Sequence, residues 1–129
     1  MGARRSIDVE GFNHGSLPIP AASRVGPLVE TSGVHGMDPA TGKLPEDVHQ
    51  QTKQMFANLR RIMTAAGGSL EHVARVSFFI AVPQARETVN EEWVRAFPDP
   101  ASRPARHTLV DYNLPGSMLV RCDATAWIE

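Results

Sequence analysis

A long amphipathic segment that ends at two consecutive glycines constrains the fold of this chain more than any other feature. Residues at spacings of three and four share one face of this segment: Val48, Thr52, Met55, Leu59, Ile62 and Ala66. Such a stripe is typical of a helix that buries one side against a neighbouring element. Pro45 suits a first helical turn, and Gly67-Gly68 ends the pattern. We therefore predict a helix from about Pro45 to Ala66.

The rest of the chain alternates short apolar runs with turn signals. A second helix is predicted over about Gln84–Phe97, where Val89, Trp93 and Phe97 are spaced by four. Residues 1–20 show no periodicity and are predicted to form an extended arm or loop. Strands are predicted at Ala22–Val25, Leu28–Ser32, His72–Val82, Ala105–Val110 and Met118–Ile128, and His72–Val82 is especially rich in β-branched and aromatic residues.

The order of these elements, β-β-α-β-α-β-β, predicts the fold class. Both helices must cover the same face of one mixed sheet to bury their stripes, which gives an α+β sandwich in a single domain, residues 1–129. The other sheet face has no cover from its own chain. In the last strand, Arg121, Asp123 and Trp127 alternate with small apolar residues. Because such a mixed face is typical of subunit contacts, we expect an oligomer with polar groups at its interfaces.

Composition argues against several functional classes. The formal net charge is −1, so no basic footprint for nucleic acid is expected. The single cysteine, Cys122, excludes a disulfide within the chain, and its place on an apolar strand face predicts a buried, inert thiol. The histidines include no pair at spacings typical of metal ligands, so no metal site is expected. Neither a signal peptide nor a membrane-spanning stretch is predicted, and the expected compartment is the cytoplasm.

Arg106 is the residue that first suggests a function. It lies near the start of a predicted strand, two residues after Pro104, so we expect the sheet to hold its backbone while its guanidinium reaches into an adjoining cleft. The planar donors of a guanidinium match a carboxylate bidentately, which suits the capture of a small organic acid. An ordinary surface arginine is the alternative. Thr31-Ser32-Gly33 and Asp123 favour the functional interpretation.

Several ungapped motifs occur in an order that resembles one known family. They are Thr31-Ser32-Gly33, Asp38–Pro45, Ala65–Leu70, Val76–Ile80, Val89-Asn90, Pro104-Ala105-Arg106 and Asp123-Ala124. Together they resemble the RidA (YjgF) family of reactive intermediate deaminases, from about Ala22 to Ile128. The resemblance implies a chorismate-mutase-like α+β fold and a homotrimer whose active sites lie between subunits. It also implies hydrolysis of enamines and imines, such as 2-imino acids, to 2-oxo acids and ammonia.

The resemblance also implies roles for individual residues. Arg106 corresponds to the family's substrate-carboxylate arginine and Asn90 to its pocket asparagine, while Ser32 and Gly33 lie in the segment that lines the pocket. Asp123 stands where active deaminases usually carry a glutamate that positions the attacking water. Ile19 stands where the family has a pocket tyrosine, so that phenol is missing. Either His14 or His35 could supply the tyrosine's hydrogen bond.

Two classes of function are compatible with this sequence. The first is a cofactor-free imine or enamine deaminase, either of the 2-iminobutanoate/2-iminopropanoate type or specialised for a substrate such as 2-aminomuconate. Its catalytic residues would be Arg106 and Asp123, which are expected on adjacent strands, because imine hydrolysis needs only an anchored carboxylate, one oriented water and proton transfer. The second is a non-catalytic trimer that binds small carboxylates, with Asp123 in an ion pair with Arg106 or Arg121. An older description of the family as ribonucleases is a third option, which the charge disfavours.

Overall fold

Two helices lie on one face of a single mixed sheet in the computed structural model, which describes residues 3–129. The strands are β1 (Arg5–Ile7), β2 (Ala22–Val25), β3 (Leu28–Thr31), β4 (Val34–His35), β5 (Val73–Ile80), β6 (Ala105–Val110) and β7 (Val120–Trp127). The helices are α1 (Val48–Ala65) and α2 (Pro83–Ala96), and a short 3₁₀ turn at Leu70–His72 precedes β5. This arrangement confirms the predicted α+β class, with one helix-covered sheet face.

The strand order places the functional candidates on different parts of the sheet. The order is β1-β2-β3-β7-β5-β6, and β4 continues alongside β7 beyond the end of β3. Every pairing is antiparallel except that of β5 with β6, which α2 connects. β6 therefore lies at one end of the strand order, and β5 separates it from β7. β6 is therefore an edge strand, and on one side its backbone N–H and C=O groups have no partner strand within the sheet.

The first helix begins three residues later than predicted because its cap lies later. Asp47 is extended, and its carboxylate accepts a hydrogen bond of 3.0 Å from the backbone N–H of Gln50. Pro45 lies in the loop before this cap, and its carbonyl accepts a hydrogen bond from the Gln51 side chain at 2.8 Å. The predicted stripe is confirmed, since Met55, Leu59 and Ile62 are fully buried, as are Thr52 and Ala66.

Alternation along β5 and β7 separates a buried face from an open one. On the helix-covered face lie Val76, Phe78, Ile80, Val120, Cys122 and Ala124, all buried. On the other face, here called the open face, lie Arg75, Ser77, Phe79, Arg121, Asp123 and Thr125. Burial of Cys122 is as predicted. Trp127 and its cross-strand partner Leu28 are both exposed, so apolar groups are mixed with charges there. Contact of this face with another subunit stays a prediction.

Two short strands were not predicted from the sequence. β1 lies in the segment expected to be an arm, where only Ile7 is buried and pairs with Ala22. β4, Val34–His35, has two residues. Strands this short show no alternation that a sequence pattern could detect, and they form because a longer neighbouring strand offers unpaired backbone groups. Within residues 3–129, neither helix is both long and apolar enough to cross a membrane.

Candidate functional site

Arg106 lies on edge strand β6 with its side chain on the helix-covered face. In the parallel register it pairs with Val76, and its guanidinium carbon lies 5.2 Å from the ring centroids of both Phe78 and Trp93. Stacking on two aromatic faces stabilises a guanidinium in place while keeping its edges free for hydrogen bonds. Burial lowers the pKa of Arg106 from its ordinary value, and the nearby positive charge of Arg86 lowers it further.

Two polar side chains orient this guanidinium. Arg106 Nη2 donates to Asn90 Oδ1 at 2.7 Å, and Arg106 Nε donates to Thr108 Oγ1 at 3.0 Å. Among residues 3–129, Nη1 has no hydrogen-bond partner, so its donors are available for an anion. The structure therefore brings together Arg106 and Asn90, two residues that the family resemblance assigned to the pocket. Thr108 was missed, although its position two residues after Arg106 on a strand places both on the same face.

Asp123 lies on the open face of β7, away from Arg106. Ser77, the residue after Val76 on β5, is its cross-strand partner, so the side chains of Arg106 and Asp123 point to opposite faces of the sheet. The prediction that their strands are adjacent is wrong, because β5 lies between them. This order depends on long-range pairing that no local pattern reveals.

The ion-pair partner of Asp123 is neither Arg106 nor Arg121, the two that the sequence suggested. Arg75 Nη1 lies 3.7 Å from Asp123 Oδ1, with the two side chains 39% and 37% exposed. Water screens a pair with that exposure, so the pair contributes less than about 1 kcal/mol to stability. Arg75 also donates to Ser77 Oγ at 2.5 Å and to Thr125 Oγ1 at 3.1 Å. Asp123 therefore lies beside the polar side chains of Arg75, Ser77 and Thr125 and is not part of a buried ion pair.

Ser32 and Gly33 form a bulge beside Asp123. Between the pairs Glu30–Thr125 and Val34–Cys122, the three residues from Thr31 to Gly33 face only Ala124 and Asp123. Thr31 Oγ1 closes the gap by accepting a 2.9 Å hydrogen bond from the Ala124 N–H. This extra residue places the Ser32–Gly33 backbone beside the carboxylate on β7.

The side chain of Ser32 connects the bulge to the loop that carries Ile19. Ser32 Oγ donates to the Pro20 carbonyl at 2.6 Å, and its backbone N–H donates to the Ala21 carbonyl at 2.9 Å. Ile19, directly before Pro20, is 43% exposed. Ser32 hence fixes the loop, in keeping with a lining role, and Ile19 offers an apolar surface near the bulge.

Of the two histidines considered as tyrosine substitutes, His14 contacts the bulge. His14 Nε2 lies 2.7 Å from the Gly33 carbonyl oxygen, so that nitrogen carries the proton and donates it. His35 contacts the other two rings instead. Its ring is stacked on that of Phe12, with 4.7 Å between centroids, and its centroid lies 5.5 Å from that of His14. His35 Nδ1 accepts from the Met37 N–H at 3.3 Å, and its Nε2 lies 3.1 Å from the Asn13 carbonyl. Because Nδ1 accepts a hydrogen bond, it carries no proton, and the His35 ring is therefore neutral.

The candidates thus form two half-sites within one chain. The arginine half-site comprises Arg106, Asn90 and Thr108 at the β6 edge, and the aspartate half-site comprises Asp123, Ser32 and Gly33 on the open face. A cleft of about 360 Å³ between the end of α2 and the loop before β6 contains none of them. Within residues 3–129, no group of three or more His, Cys, Asp or Glu side chains is placed to hold a metal ion.

Comparison with known proteins identifies the family. The family model for endoribonuclease L-PSP matches residues 19–128. Reactive Intermediate Deaminase A, chloroplastic, from Arabidopsis thaliana is 35% identical over 84% of this chain and 58% of that protein. The 2-iminobutanoate/2-iminopropanoate deaminase of Salmonella typhimurium is 31% identical over 79% of this chain and 80% of that one.

Solved structures agree with the sequence comparison. A putative endoribonuclease from Thermotoga maritima superimposes with a TM-score of 0.87 at 29% identity, covering 97% of this chain and 98% of that one. Escherichia coli TdcF with bound serine gives 0.87 at 25% identity, covering 97% and 99%. Both the predicted fold and the resemblance noted in the sequence are confirmed: the chain belongs to the RidA (YjgF) family, whose matching model is described as endoribonuclease L-PSP.

Proposed function

We propose that this protein hydrolyses small 2-imino acids, or their enamine tautomers, to 2-oxo acids and ammonia without a metal or organic cofactor. The observation that carries this proposal is the setting of Arg106. Its guanidinium is oriented by Asn90 and Thr108, yet its Nη1 donors lack a partner among residues 3–129. A fixed guanidinium with free donors can hold the carboxylate of such a substrate. The deaminases among the relatives of 30–35% identity support the same reaction class.

The reaction needs few groups. The oxygen of a water molecule adds to the electrophilic imine carbon, and the proton that it loses is transferred to the imine nitrogen. The hydroxyl proton of the resulting carbinolamine then moves to its amino group, the carbon–nitrogen bond breaks, ammonia leaves and the carbonyl of the 2-oxo acid forms, with no change in oxidation state. Asp123 can orient the water and accept its proton, a role that a partly exposed carboxylate fills without a metal. The Ser32–Gly33 backbone would line the space beside the imine.

A site that uses both half-sites must draw on two copies of the chain, because Arg106 and Asp123 face opposite sides of one sheet. We propose a homotrimer in which the β6 edge of one copy meets the open face of the next. Exposed apolar side chains support such contacts, with Leu109 and Val110 at the β6 edge and Trp127 on β7. The arginine of one copy would then anchor a carboxylate above the aspartate of its neighbour.

Non-catalytic binding of small carboxylates is the second candidate function. It is favoured by the ion pair of Asp123 with Arg75, which gives the carboxylate a role other than orienting water. Escherichia coli TdcF, a structure of the same fold, contains bound serine, an amino acid with a carboxylate. Turnover distinguishes the two functions. Semicarbazide competition during amino-acid oxidase turnover measures imine lifetime directly, and a binding protein would leave that lifetime unchanged.

Mixed assemblies test both the reaction and the shared site. Copies carrying Arg106→Ala and copies carrying Asp123→Asn are co-expressed with different tags, and assemblies that carry both tags are purified. Every mixed cyclic trimer contains a single junction with an intact Arg106 next to an intact Asp123. We therefore expect about one third of the wild-type rate from mixed trimers, and almost none from either variant alone.

Two results would contradict this proposal. Failure of wild-type protein to shorten the lifetime of 2-iminobutanoate or 2-iminopropanoate would reject the deaminase. Mixed trimers as inactive as their parents would show that both residues act within one copy. Assemblies that mix wild type with an Arg60→Gln copy serve as the control, because Arg60 is exposed on α1 and belongs to neither half-site, so the rate should stay unchanged.

A further inference from the structure

Arg121 is a cation of the aspartate half-site whose charge nothing in the described chain neutralises. Its guanidinium carbon lies 4.9 Å from the ring centroid of Phe79, on the open face. Across residues 3–129, its side chain makes no hydrogen bond and no salt bridge, although the residue is half-buried. A guanidinium stacked on an aromatic ring is fixed in direction while its donors stay free, which is the state of an anion-binding arginine before its ligand arrives.

The bulge is shaped to receive this arginine. A Cβ atom on Gly33 would lie 2.8 Å from Arg121 Cδ, closer than carbon atoms approach, so the absence of a side chain at Gly33 lets Arg121 lie against the bulge. Gly33 is also the residue whose carbonyl accepts from His14. Arg121 thereby borders the same backbone segment as Asp123.

Neighbouring charges leave Arg121 positive and unpaired. Asp123, two residues along β7 and on the same face, has Arg75 as its ion-pair partner. Glu30, on the same face of β3, accepts a 2.7 Å hydrogen bond from Thr125 Oγ1. His35, on the bulge side, is neutral in this hydrogen-bonding pattern. The aspartate half-site thus has a cation available on the residue two strand positions before Asp123, a backbone spacing of roughly 7 Å.

We propose that Arg121 is a specificity-determining residue that binds a second carboxylate, so that the preferred substrates are short 2-imino dicarboxylic acids. This inference rests on the proposed function. Arg106 would hold the carboxylate next to the imine, Asp123 would face the imine carbon, and Arg121 would take the distal carboxylate. The planar fork of donors in Arg121 matches that group, and the backbone spacing of roughly 7 Å between Arg121 and Asp123 suits a short carbon chain between imine and carboxylate.

The test compares paired substrates on the same protein. Amino-acid oxidases generate the imines of glutamate or aspartate, and of alanine or 2-aminobutyrate, in situ. We expect wild-type kcat/KM to favour the dicarboxylic imines, and Arg121→Gln to reduce that preference at least about tenfold, the scale for one hydrogen bond to a charged group. Arg121→Lys should retain part of the preference, since it keeps the charge without the fork. Arg60→Gln removes one positive charge from α1 and should leave the preference for dicarboxylic imines unchanged.

Binding of stable products separates this inference from the reaction itself. The affinities of 2-oxoglutarate and oxaloacetate are measured calorimetrically against that of 2-oxobutyrate, on wild type and on Arg121→Gln with an unchanged melting temperature. Tighter binding of the dicarboxylates that disappears in Arg121→Gln would support the inference even if the protein did not turn over imines. Equal affinities in wild type, or a preference that survives Arg121→Gln, would overturn it, whereas absent turnover alone would reject only the deaminase.

Discussion

Arg106 and Asp123 lie on opposite faces of one sheet, because their respective partners on β5, Val76 and Ser77, are consecutive residues. A single chain therefore presents an anion-binding group and a carboxylate in two different directions. The arginine is oriented by Asn90 and Thr108, whereas the aspartate lies beside a bulge. This separation makes the two residues useful probes, since each can be changed without disturbing the other's contacts within the chain.

Removal of the Arg106 guanidinium should abolish carboxylate binding while leaving the fold intact. Arg106→Ala is expected to weaken binding of 2-oxobutyrate by at least about 2 kcal/mol, roughly thirtyfold in affinity, the scale for loss of a charged contact that excludes water. Arg106→Lys should rescue poorly, because lysine cannot reproduce the bidentate geometry. Calorimetry at low ionic strength measures both. Wild-type affinity in Arg106→Ala would place the anchor elsewhere, and Arg60→Ala controls for the lost charge.

Asp123 is expected to affect turnover more than binding. Asp123→Asn should lower kcat about a hundredfold or more, the usual scale for general acid–base assistance, with ligand affinity nearly unchanged. Asp123→Glu should retain or improve activity on short 2-imino acids, because its longer carboxylate reaches further towards the substrate. Steady-state kinetics and melting temperature are measured on the same three proteins.

The ion pair with Arg75 provides the matched control for Asp123. Arg75→Gln removes the pair but keeps the carboxylate, and because both side chains are more than a third exposed, it should change stability by less than about 1 kcal/mol. If Asp123 served only this pair, Asp123→Asn and Arg75→Gln would shift the melting temperature alike and leave kcat alone. An unchanged rate in Asp123→Asn would then favour the binding protein over the enzyme.

Local periodicity predicted most of the fold. The stripe of α1 and the apolar runs of β5 and β7 gave the right elements, with ends displaced by a few residues where a cap or turn intervenes. β6 was predicted with its observed limits, Ala105–Val110, because Pro104 and Asp111 mark the two ends of the run. These features depend on residues close in sequence, for which burial and backbone conformation leave few alternatives.

The geometry of the candidate site depends on contacts that local patterns do not encode. The insertion of β5 between β6 and β7, the pair of Arg75 with Asp123, and the hydrogen bond from His14 to Gly33 all join distant segments. The family resemblance identified the candidate site residues, because the order of motifs is kept when the sequences of relatives diverge. It did not supply the partners of Asp123, since a motif match gives residue identities and not the contacts between distant segments.

Cys122 should be unreactive in the native protein. Burial raises the pKa of its thiol far above the ordinary value, and the adjacent Asp123 charge raises it further, so almost no thiolate exists at neutral pH. A disulfide reagent at pH 8 is expected to react at least about a hundredfold more slowly with native protein than with a small free thiol, and to titrate one thiol per chain after denaturation. Prompt reaction of native protein at the small-thiol rate would contradict the buried position.

His35 should make stability fall in mildly acidic solution. Burial lowers the pKa of His35 below its ordinary value near 6.5, and the charges of His14 and Arg121 lower it further, although a hydrogen bond to the Asn13 carbonyl opposes these effects. The unfolded chain therefore binds a proton at a pH where folded His35 does not. The stability due to neutral His35 is complete above about pH 6.5 and is lost as the pH falls towards the folded pKa. The slope approaches about 1.4 kcal/mol per pH unit for one proton.

Urea unfolding between pH 5 and 8 measures this slope directly. His35→Gln keeps a polar side chain without the titration, so the dependence of its unfolding free energy on pH below 6.5 should be shallower than in wild type, whatever its absolute stability. His107→Gln, which removes an exposed histidine on β6, is the matched control and should retain the wild-type slope. A slope in His35→Gln as steep as in wild type would assign the acid sensitivity to another group, because that variant has no imidazole to protonate at this position.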